Sequence, residues 1–348
     1  MSRRILSRAG RRTNLERCDQ FWGASVSAGS KHILITTDLD GTLLNHDDYA
    51  FGALATSVQK LAKRGIPVVF NTSKTPAECV ELQKKFGVSA PMIVENGGGI
   101  LFHPQDCRFD FSKITSEDSH DHWQLIRLGR SLSQLLAFKD AYCPEAPDLV
   151  SSAFDDMAEH TGLSGSALDA ARRRLFSLPL ILNAEQYARI ETKAFDFGYR
   201  IESGARFKTL QGRHDKSSTL TLVKEAFAKV AGSQVKVVAL GDAPNDQRML
   251  EAGDVAVVVK RSGEHHVAPK VNKIIQTEAP APDGWIEGVE AALYLLASRQ
   301  NSAADVVKAG TLRTLSARPT SQAPGGRSLD SVYLAKKRVV TEKNNDGR

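Results

Sequence analysis

Short runs of consecutive β-branched and apolar residues recur along this chain, and they constrain its fold more than any other feature. "HILITTD" (32–38), "IPVVFNTS" (66–73), "APMIVENGGGILF" (90–102), "QVKVVALGD" (234–242) and "DVAVVVK" (254–260) show continuous apolar character rather than polar–apolar alternation. Continuous runs of this length are the pattern of strands buried on both faces, which parallel sheets provide. Amphipathic stretches separate them. "ALATSVQKLAKRG" places Leu54, Val58 and Leu61 at helical spacing and ends at Gly65, a natural helix stop. In "TPAECVELQKKFGV", Thr75 is the predicted N-cap, with Pro76 at the first helical position and Glu78 three residues after the cap. Strand, helix, strand, helix, strand predicts an α/β fold with a parallel sheet and right-handed crossovers.

The rhythm changes between Pro104 and Gln211. "HWQLIRLGRSLSQLLAFKD" (122–140) reads as a long helix and "FDDMAEHTGLSGSALDAARRRLF" (154–176) as a second helical region. "LPLILN", "ARIETKAFDFGYRIES" and "ARFKTL" follow. This mixture predicts an α+β unit, residues 105–211, inserted into a discontinuous first domain of residues 31–104 and 212–299. After the insertion "DKSSTLTLVKEAFAKV" and "GWIEGVEAALYLLA" read as helices. Residues 1–30 read as a disordered basic leader and residues 300–348, Ser/Pro/Gly/Lys-rich and aperiodic, as a disordered basic tail.

Net charge is +6, but its location removes the obvious inference. Residues 1–30 contribute six Arg against Glu16 and Asp19, or +4; residues 301–348 contribute nine Lys/Arg against four acids, or +5. The 270 residues between therefore sum to 6 − 4 − 5 = −3, and a mildly acidic body argues against a basic nucleic-acid groove. Cys18, Cys79, Cys107 and Cys143 are scattered without a CxxC pair, so a disulfide framework is not expected and a reduced cytoplasmic protein is the reading. No apolar run reaches membrane-spanning length.

The polar residues that follow these strands carry the chemistry. Asp38-x-Asp40 follows the first, Asn71-Thr72-Ser73-Lys74 the second, Glu95-Asn96-Gly97 the third, and "GDAPND" (241–246) follows "VKVVAL". Lys216 opens the helix after the insertion. Ligands of open parallel sheets sit at the carboxyl ends of the strands, so these groups converge. Asp38, Asp242 and the backbone carbonyl of Asp40 make an oxygen-only set that suits Mg²⁺. Asp38 is then the candidate nucleophile on phosphorus and Asp40 the acid/base on the leaving oxygen and the attacking water. Thr72 and Lys216 are the candidate donors to the transferring phosphoryl group. Gly41 lets the chain turn tightly beside the substrate.

"DLDGTLL", "NTSKT", Lys216 and "GDAPND" resemble, in order, the four motifs of the haloacid dehalogenase (HAD) superfamily of phosphohydrolases. "NTSKTPAE", "PMIVENGGGILF", "HTGLSGSALDAARRRLFSLPLIL" and "SGARFKTLQGRHDK" are similar to the mannosyl-3-phosphoglycerate phosphatase family, over roughly residues 31–298. The resemblance implies a HAD-like Rossmannoid parallel-sheet core with an inserted C2B-type α+β cap. It implies Asp38 as nucleophile and Mg²⁺ ligand, Asp40 as acid/base and carbonyl ligand, Thr72 and Lys216 as catalytic donors and Asp242 as the remaining ligand. Asn245 and Asp246 are implied supports for Lys216 or metal waters. Arg174 and Arg206 from the cap, with Ser73 and Lys74, are the candidate substrate contacts. The implied substrate is a small phosphorylated sugar-glycerate, or else another small sugar or polyol phosphate; no nucleic-acid or membrane partner is expected. Leu175, Leu178 and Ser217 depart from the family pattern, which has acids at the first two positions and glycine at the third. Acidic cap residues are natural acceptors for sugar hydroxyls, so the two leucines bear on the sugar rather than on phosphate transfer.

"HDH" (120–122) lacks partners at metal-ligand spacing and reads as a solvated helix start. A signalling receiver domain also phosphorylates an aspartate, but needs a long-lived phosphoryl group and so lacks an acid at the position of Asp40. A phosphomutase would share the core, and a catalytically dead binding protein would have lost a motif.

Overall fold

The computed structural model describes residues 32–45, 54–118, 122–204, 206–232, 234–261 and 264–297, together with the backbone of 305–308. The chain divides into two units, 1–313 and 314–348, and every described residue lies in the first. The expected basic leader, most of the tail, and His120–Asp121 of the "HDH" triplet lie outside the described residues.

The main sheet is built from β1 (His32–Thr37), β2 (Val68–Asn71), β3 (Met92–Val94), β4 (Gly99–Phe102), β5 (Glu117–Asp118), β6 (Gln124–Arg127), β10 (Val235–Gly241), β11 (Val255–Lys260), β12 (Lys273–Pro280) and β13 (Asp305–Lys308), in the order β13-β12-β11-β10-β1-β2-β3-β4-β6-β5. The pairs from β13 through to β3 are parallel, and β4, β6 and β5 add an antiparallel edge. Successive residues of the central strands face opposite layers. Leu34, Val69, Val237 and Ala239 join one apolar cluster, and Ile35, Phe70, Val238 and Leu240 the other. Both faces are buried, which is why these strands read as unbroken apolar runs.

Helices α1 (Leu54–Lys63), α2 (Pro76–Phe86) and α9 (Asp283–Ala297) cover one face, through Leu54, Val58, Phe86, Trp285 and Val289. Helices α7 (Lys216–Ala231) and α8 (Gln247–Glu251) cover the other, through Leu220, Val223, Phe227, Met249 and Leu250. The predicted start of α2 is a complete capping box. Glu78 N donates to Thr75 Oγ1 at 3.2 Å and Thr75 N to Glu78 Oε2 at 2.9 Å, and Gly87 closes the helix in the left-handed region.

The inserted unit packs α3 (Leu132–Tyr142), α4 (Phe154–Thr161), α5 (Gly165–Arg172) and α6 (Ala184–Asp196) with an antiparallel sheet of β7 (Ser177–Leu180), β8 (Tyr199–Ser203) and β9 (Lys208–Gly212) in the order β7-β9-β8. Its own core joins Leu135, Phe138, Leu178, Leu180, Ile190 and Leu210.

Several expectations change. The long helix over 122–140 is a strand followed by a helix: β6 pairs with β4, and α3 begins only after Ser131. Adjacent Leu125 and Ile126 are buried on opposite faces of the sheet, which is strand burial rather than one helix face. Strands β5 and β6, within the stretch expected to be inserted, extend the main sheet. For the same reason His122 precedes a strand, not a helix. Strand β12 was hidden by its polar half, "QTEA". Residues 305–308, expected within a disordered tail, pair with β12 in parallel. Cys107 is disulfide-bonded, contrary to the expectation of a reduced protein, whereas Cys79 and Cys143 are free and buried. A disulfide depends on which segments meet in space, and the spacing of single cysteines does not encode that. Among the described residues no helix is long and apolar enough to cross a membrane.

Candidate active site

The ends of β1, β2, β3 and β10 and the start of α7 meet at one edge of the sheet. Asp38 follows β1 and is held to the neighbouring strand by its N–H, which donates to Leu240 O at 3.0 Å. Trp285 Nε1 donates to Thr37 Oγ1 at 3.0 Å, and Thr37 Oγ1 donates to Asp38 O at 2.7 Å, so α9 braces the strand end from below. Lys216 is 3% exposed. Its Nζ donates to Asp38 Oδ1 at 2.6 Å and to Asp246 Oδ1 at 2.7 Å. Asn71 Nδ2, at the end of β2, donates to Lys216 O at 3.0 Å and fixes the first turn of α7 against the strand ends.

Asp242 is fully buried, and Thr42 Oγ1 donates to its Oδ1 at 2.6 Å. Its Oδ2 accepts no hydrogen bond and has only a long ion contact, to Arg261 Nη1 at 3.5 Å. Oxygens of Asp38, Asp242 and Asp246 lie within 4.8 Å of one another. Burial and the three neighbouring carboxylates push the Asp38 carboxyl well above the usual range, against the pull of Lys216. Burial, then the charge of Asp246, pushes Asp242 up to about 6. Burial works against the Lys216 ammonium, but Asp246 and Asp38 outweigh it and hold its pKa above the ordinary lysine value. One ammonium among three buried acids leaves a net negative pocket, which a divalent cation would neutralise.

The donor set fits such an ion. Asp246 is already committed: beyond Lys216, its Oδ2 accepts from Asp242 N and Ala243 N, each at 3.2 Å. Asp38 and Asp242 are then the carboxylates that could hold an ion, with Asp246 bracing Lys216 and the Asp242–Ala243 turn. Gly41 stands beside them at φ 86°, where a Cβ would lie 2.7 Å from Asp242 Oδ2, so any side chain here would crowd that oxygen.

The remaining predicted residues face a cleft of about 220 Å³ between the core and the cap, lined by Asp40, Ser73, Lys74, Arg174, Arg206 and Asn245 among others. Asp40 is partly exposed there and pairs with Lys74 Nζ at 2.8 Å. Thr72 is buried beside the cleft, and its Oγ1 accepts from Lys74 N at 3.2 Å. Two expectations shift. Asn245 is exposed on the cleft wall, and of the expected pair Asp246 is the one that pairs with Lys216. Arg174 donates to Ser73 O at 3.1 and 3.2 Å and to Ser177 Oγ at 2.8 Å, so its guanidinium clamps cap to core as well as lining the cleft. Arg206 donates to Thr161 O.

Four residues make contacts that the sequence does not assign to them. Thr42 and Arg261 contact Asp242, Glu95 reaches from the core into the cap, and Glu202, itself on cap strand β8, lines the cleft. Thr42 lies inside "DLDGT" and could have been read from the motif; Glu95 stands in the polar group after the third strand, but its reach into the cap has no local signal, and neither do the contacts of Arg261 and Glu202. Leu175 and Leu178, where the family pattern has acids, do not line the cleft. Leu178 is fully buried in the cap core and Leu175 packs against the main core, while Glu202 supplies a carboxylate to the cleft.

This arrangement has relatives. A family model described as haloacid dehalogenase-like hydrolase matches residues 35–281. A glucosyl-3-phosphoglycerate/mannosyl-3-phosphoglycerate phosphatase from Persephonella marina is 32% identical over 263 residues, covering 74% of this chain and 96% of that protein. Among solved structures, a protein from Thermotoga maritima aligns with TM-score 0.53 at 15% identity, over 78% of this chain and 100% of its own. A HAD-superfamily phosphatase from Bacteroides thetaiotaomicron aligns with TM-score 0.52 at 16% identity, over 78% and 98%. The chain belongs to the haloacid dehalogenase-like hydrolase family and is a phosphoric monoester hydrolase.

Proposed function

We propose that the chain hydrolyses a glycosyl-3-phosphoglycerate, the mannosyl form foremost, to the glycosylglycerate and inorganic phosphate. The observation that carries this is the pairing of the Asp38–Lys216–Asp242 centre with a cleft whose wall holds Arg174, Arg206, Glu202 and Thr209. Guanidinium groups suit a glycerate carboxylate, and Glu202 and Thr209 suit sugar hydroxyls. The name of the 32%-identical relative points the same way.

Asp38 attacks phosphorus from its buried carboxylate, forming an aspartyl-phosphate as the bond to the glycerate oxygen breaks. Asp40, at the cleft, gives a proton to that leaving oxygen. It then takes a proton from the water that attacks the aspartyl-phosphate, which regenerates Asp38 and releases phosphate. Lys216 and Thr72 place donors against the phosphoryl oxygens and lower the cost of charge developing there. Mg²⁺, held by Asp38 and Asp242, would neutralise the phosphate and the nucleophile so that two anions can approach.

The test is phosphate release from mannosyl-3-phosphoglycerate, glucosyl-3-phosphoglycerate and a panel of simple sugar phosphates, with and without Mg²⁺, by wild type and Asp38→Asn. Selective, Mg²⁺-dependent release from a glycosyl-phosphoglycerate, lost in the variant, is the expected result. Turnover of sugar or polyol phosphates alone would replace the substrate and keep the chemistry.

A further inference from the structure

Glu95 and Asn96, in the turn after β3, both adopt positive φ, 48° and 57°. The left-handed region is uncommon for any residue with a side chain, and rarer for Glu than for Asn. The surroundings enforce it. Glu95 N donates to Lys74 O at 3.0 Å, Asn96 N donates to Thr72 O at 2.8 Å, and Thr219 Oγ1 of α7 donates to Gly97 O at 2.9 Å. Gly97 packs so closely on α7 that a Cβ there would lie 2.2 Å from Asp215 O. The turn is thus tied both to the Thr72–Lys74 loop and to the helix end that presents Lys216.

From this position the Glu95 side chain reaches into the cap. It is fully buried; Oε1 accepts from Leu175 N at 2.8 Å, and Oε2 from Phe176 N at 3.0 Å and Ser177 Oγ at 2.5 Å. Arg174 supplies the compensating charge while donating to Ser73 O on the core side. Thr75 Oγ1 adds a further tie, donating to Ala170 O at 2.8 Å. A buried carboxylate with three donors and a neighbouring guanidinium, on a backbone held against its preference, is a costly device for a surface turn. The sequence marks Glu95 only as part of the polar group after the third strand, and does not encode its reach into the cap.

We propose that Glu95 is a positioning residue of the hydrolase. It pins cap residues 174–177 onto the loop bearing Thr72, Ser73 and Lys74, and so fixes how far the cap wall of the cleft stands above Asp38. The inference rests on the phosphatase reading for its kinetic readout only. A substrate that spans core and cap then depends on Glu95, whereas a small phosphate ester that needs only Asp38, Asp40, Thr72 and Lys216 does not.

Glu95→Gln keeps the size of the side chain but presents an amide to three donors. The expected result is a tenfold or larger rise in KM for the best-accepted sugar-bearing phosphate, with kcat on p-nitrophenyl phosphate within about twofold of wild type. Ser177→Ala removes one donor without touching the carboxylate, and should move KM in the same direction by about threefold even if Glu95→Gln folds poorly. Hydrogen exchange at the Leu175 and Phe176 amides reads the tie without turnover, and Ser177→Ala should speed it. Equal losses on both substrates, unchanged KM in the variants, or unchanged exchange would overturn the proposal. Wild type that turns over no glycosyl-phosphoglycerate overturns the substrate reading instead, and the exchange measurement still decides on Glu95.

Discussion

Lys216 Nζ lies 2.6 Å from Asp38 Oδ1, although 178 positions separate the two residues in the chain. The pair is buried, and the same ammonium reaches Asp246 at 2.7 Å. Removing one partner of such a network leaves uncompensated charge, at a cost of about 3–5 kcal/mol. Lys216→Met is therefore expected to lose stability and, in the protein that stays folded, to lose kcat by about 10²–10³-fold through the missing donor. Lys216→Arg keeps the charge, but its planar fork cannot place one donor between two carboxylates, so it should retain more stability than activity. Thermal melts alongside phosphate release check both parts. Full activity in Lys216→Met would remove Lys216 from the mechanism.

Asp242 tests the cation. Its Oδ2 accepts no hydrogen bond, and its pKa stands at about 6, above that of an unfolded aspartate. The folded, metal-free protein binds that proton more tightly than the unfolded chain does. Its stability therefore falls as pH rises from about 4 to about 6, and stays reduced at neutral pH. Asp242→Asn removes the buried charge while its amide oxygen still accepts from Thr42. The variant should melt a few degrees above metal-free wild type at pH 7. Mg²⁺ should raise the melting temperature of wild type with concentration and leave the variant unmoved, because only the native ligand set gains binding energy. Equal Mg²⁺ stabilisation of both would show that Asp242 is not a ligand.

His214 gives an acid-side prediction of opposite sign. It lies in the link between β9 and α7, where the Cβ of any residue at position 129 would come within 2.9 Å of its ring. Burial, then the charge of Arg200, lowers its pKa to about 4, with Asp215 opposing. The folded state holds the neutral ring, so stability is present above about pH 6.5 and is lost as pH falls towards 4. The loss is on the order of 2–3 kcal/mol at the acid end. Urea unfolding at pH 7.5 and pH 4.5 should show this drop in wild type and a smaller one in His214→Gln. The same drop in both would place the acid sensitivity elsewhere.

The core was legible because burial on both faces forces unbroken apolar runs, and because the candidate site residues sit at strand ends and a helix start where the motif spacing is short. The structure brings Asp38, Lys216 and Asp242 together at one edge of the sheet, and the capping box at Thr75 and Glu78 follows from local chemistry alone. The antiparallel edge was not legible. Gln124–Arg127 is four residues long, and its neighbours Ser131–Tyr142 carry a strong helical signal that absorbs it. The contacts of Arg261 and Glu95 escaped for a different reason: each works by tertiary approach, to Asp242 and to Leu175–Ser177, and even the polar turn that marks Glu95 at a strand end does not say what its side chain touches.

Leu178 shows how position in a motif and position in space can diverge. The family pattern places an acid there, and sequence alone makes its loss a change in sugar recognition. In the fold, Leu178 stands opposite Leu210 on β9 and is fully buried with Leu135, Leu180 and Ile190. An aspartate at this site would bury an unpaired carboxylate, so Leu178→Asp should cost at least about 3 kcal/mol and should not improve KM for any sugar phosphate. Glu202 lines the cleft instead, on β8, with Arg200 Nη2 2.8 Å from its Oε2. Glu202→Gln keeps the shape and removes the charged acceptor; it should raise KM for a glycosyl-phosphoglycerate by about 5–50-fold while leaving p-nitrophenyl phosphate turnover near wild type. Melting temperatures separate the two variants: Leu178→Asp loses stability, Glu202→Gln does not. A folded Leu178→Asp with lowered KM would return the sugar site to β7, and an unchanged KM in Glu202→Gln would take it away from β8.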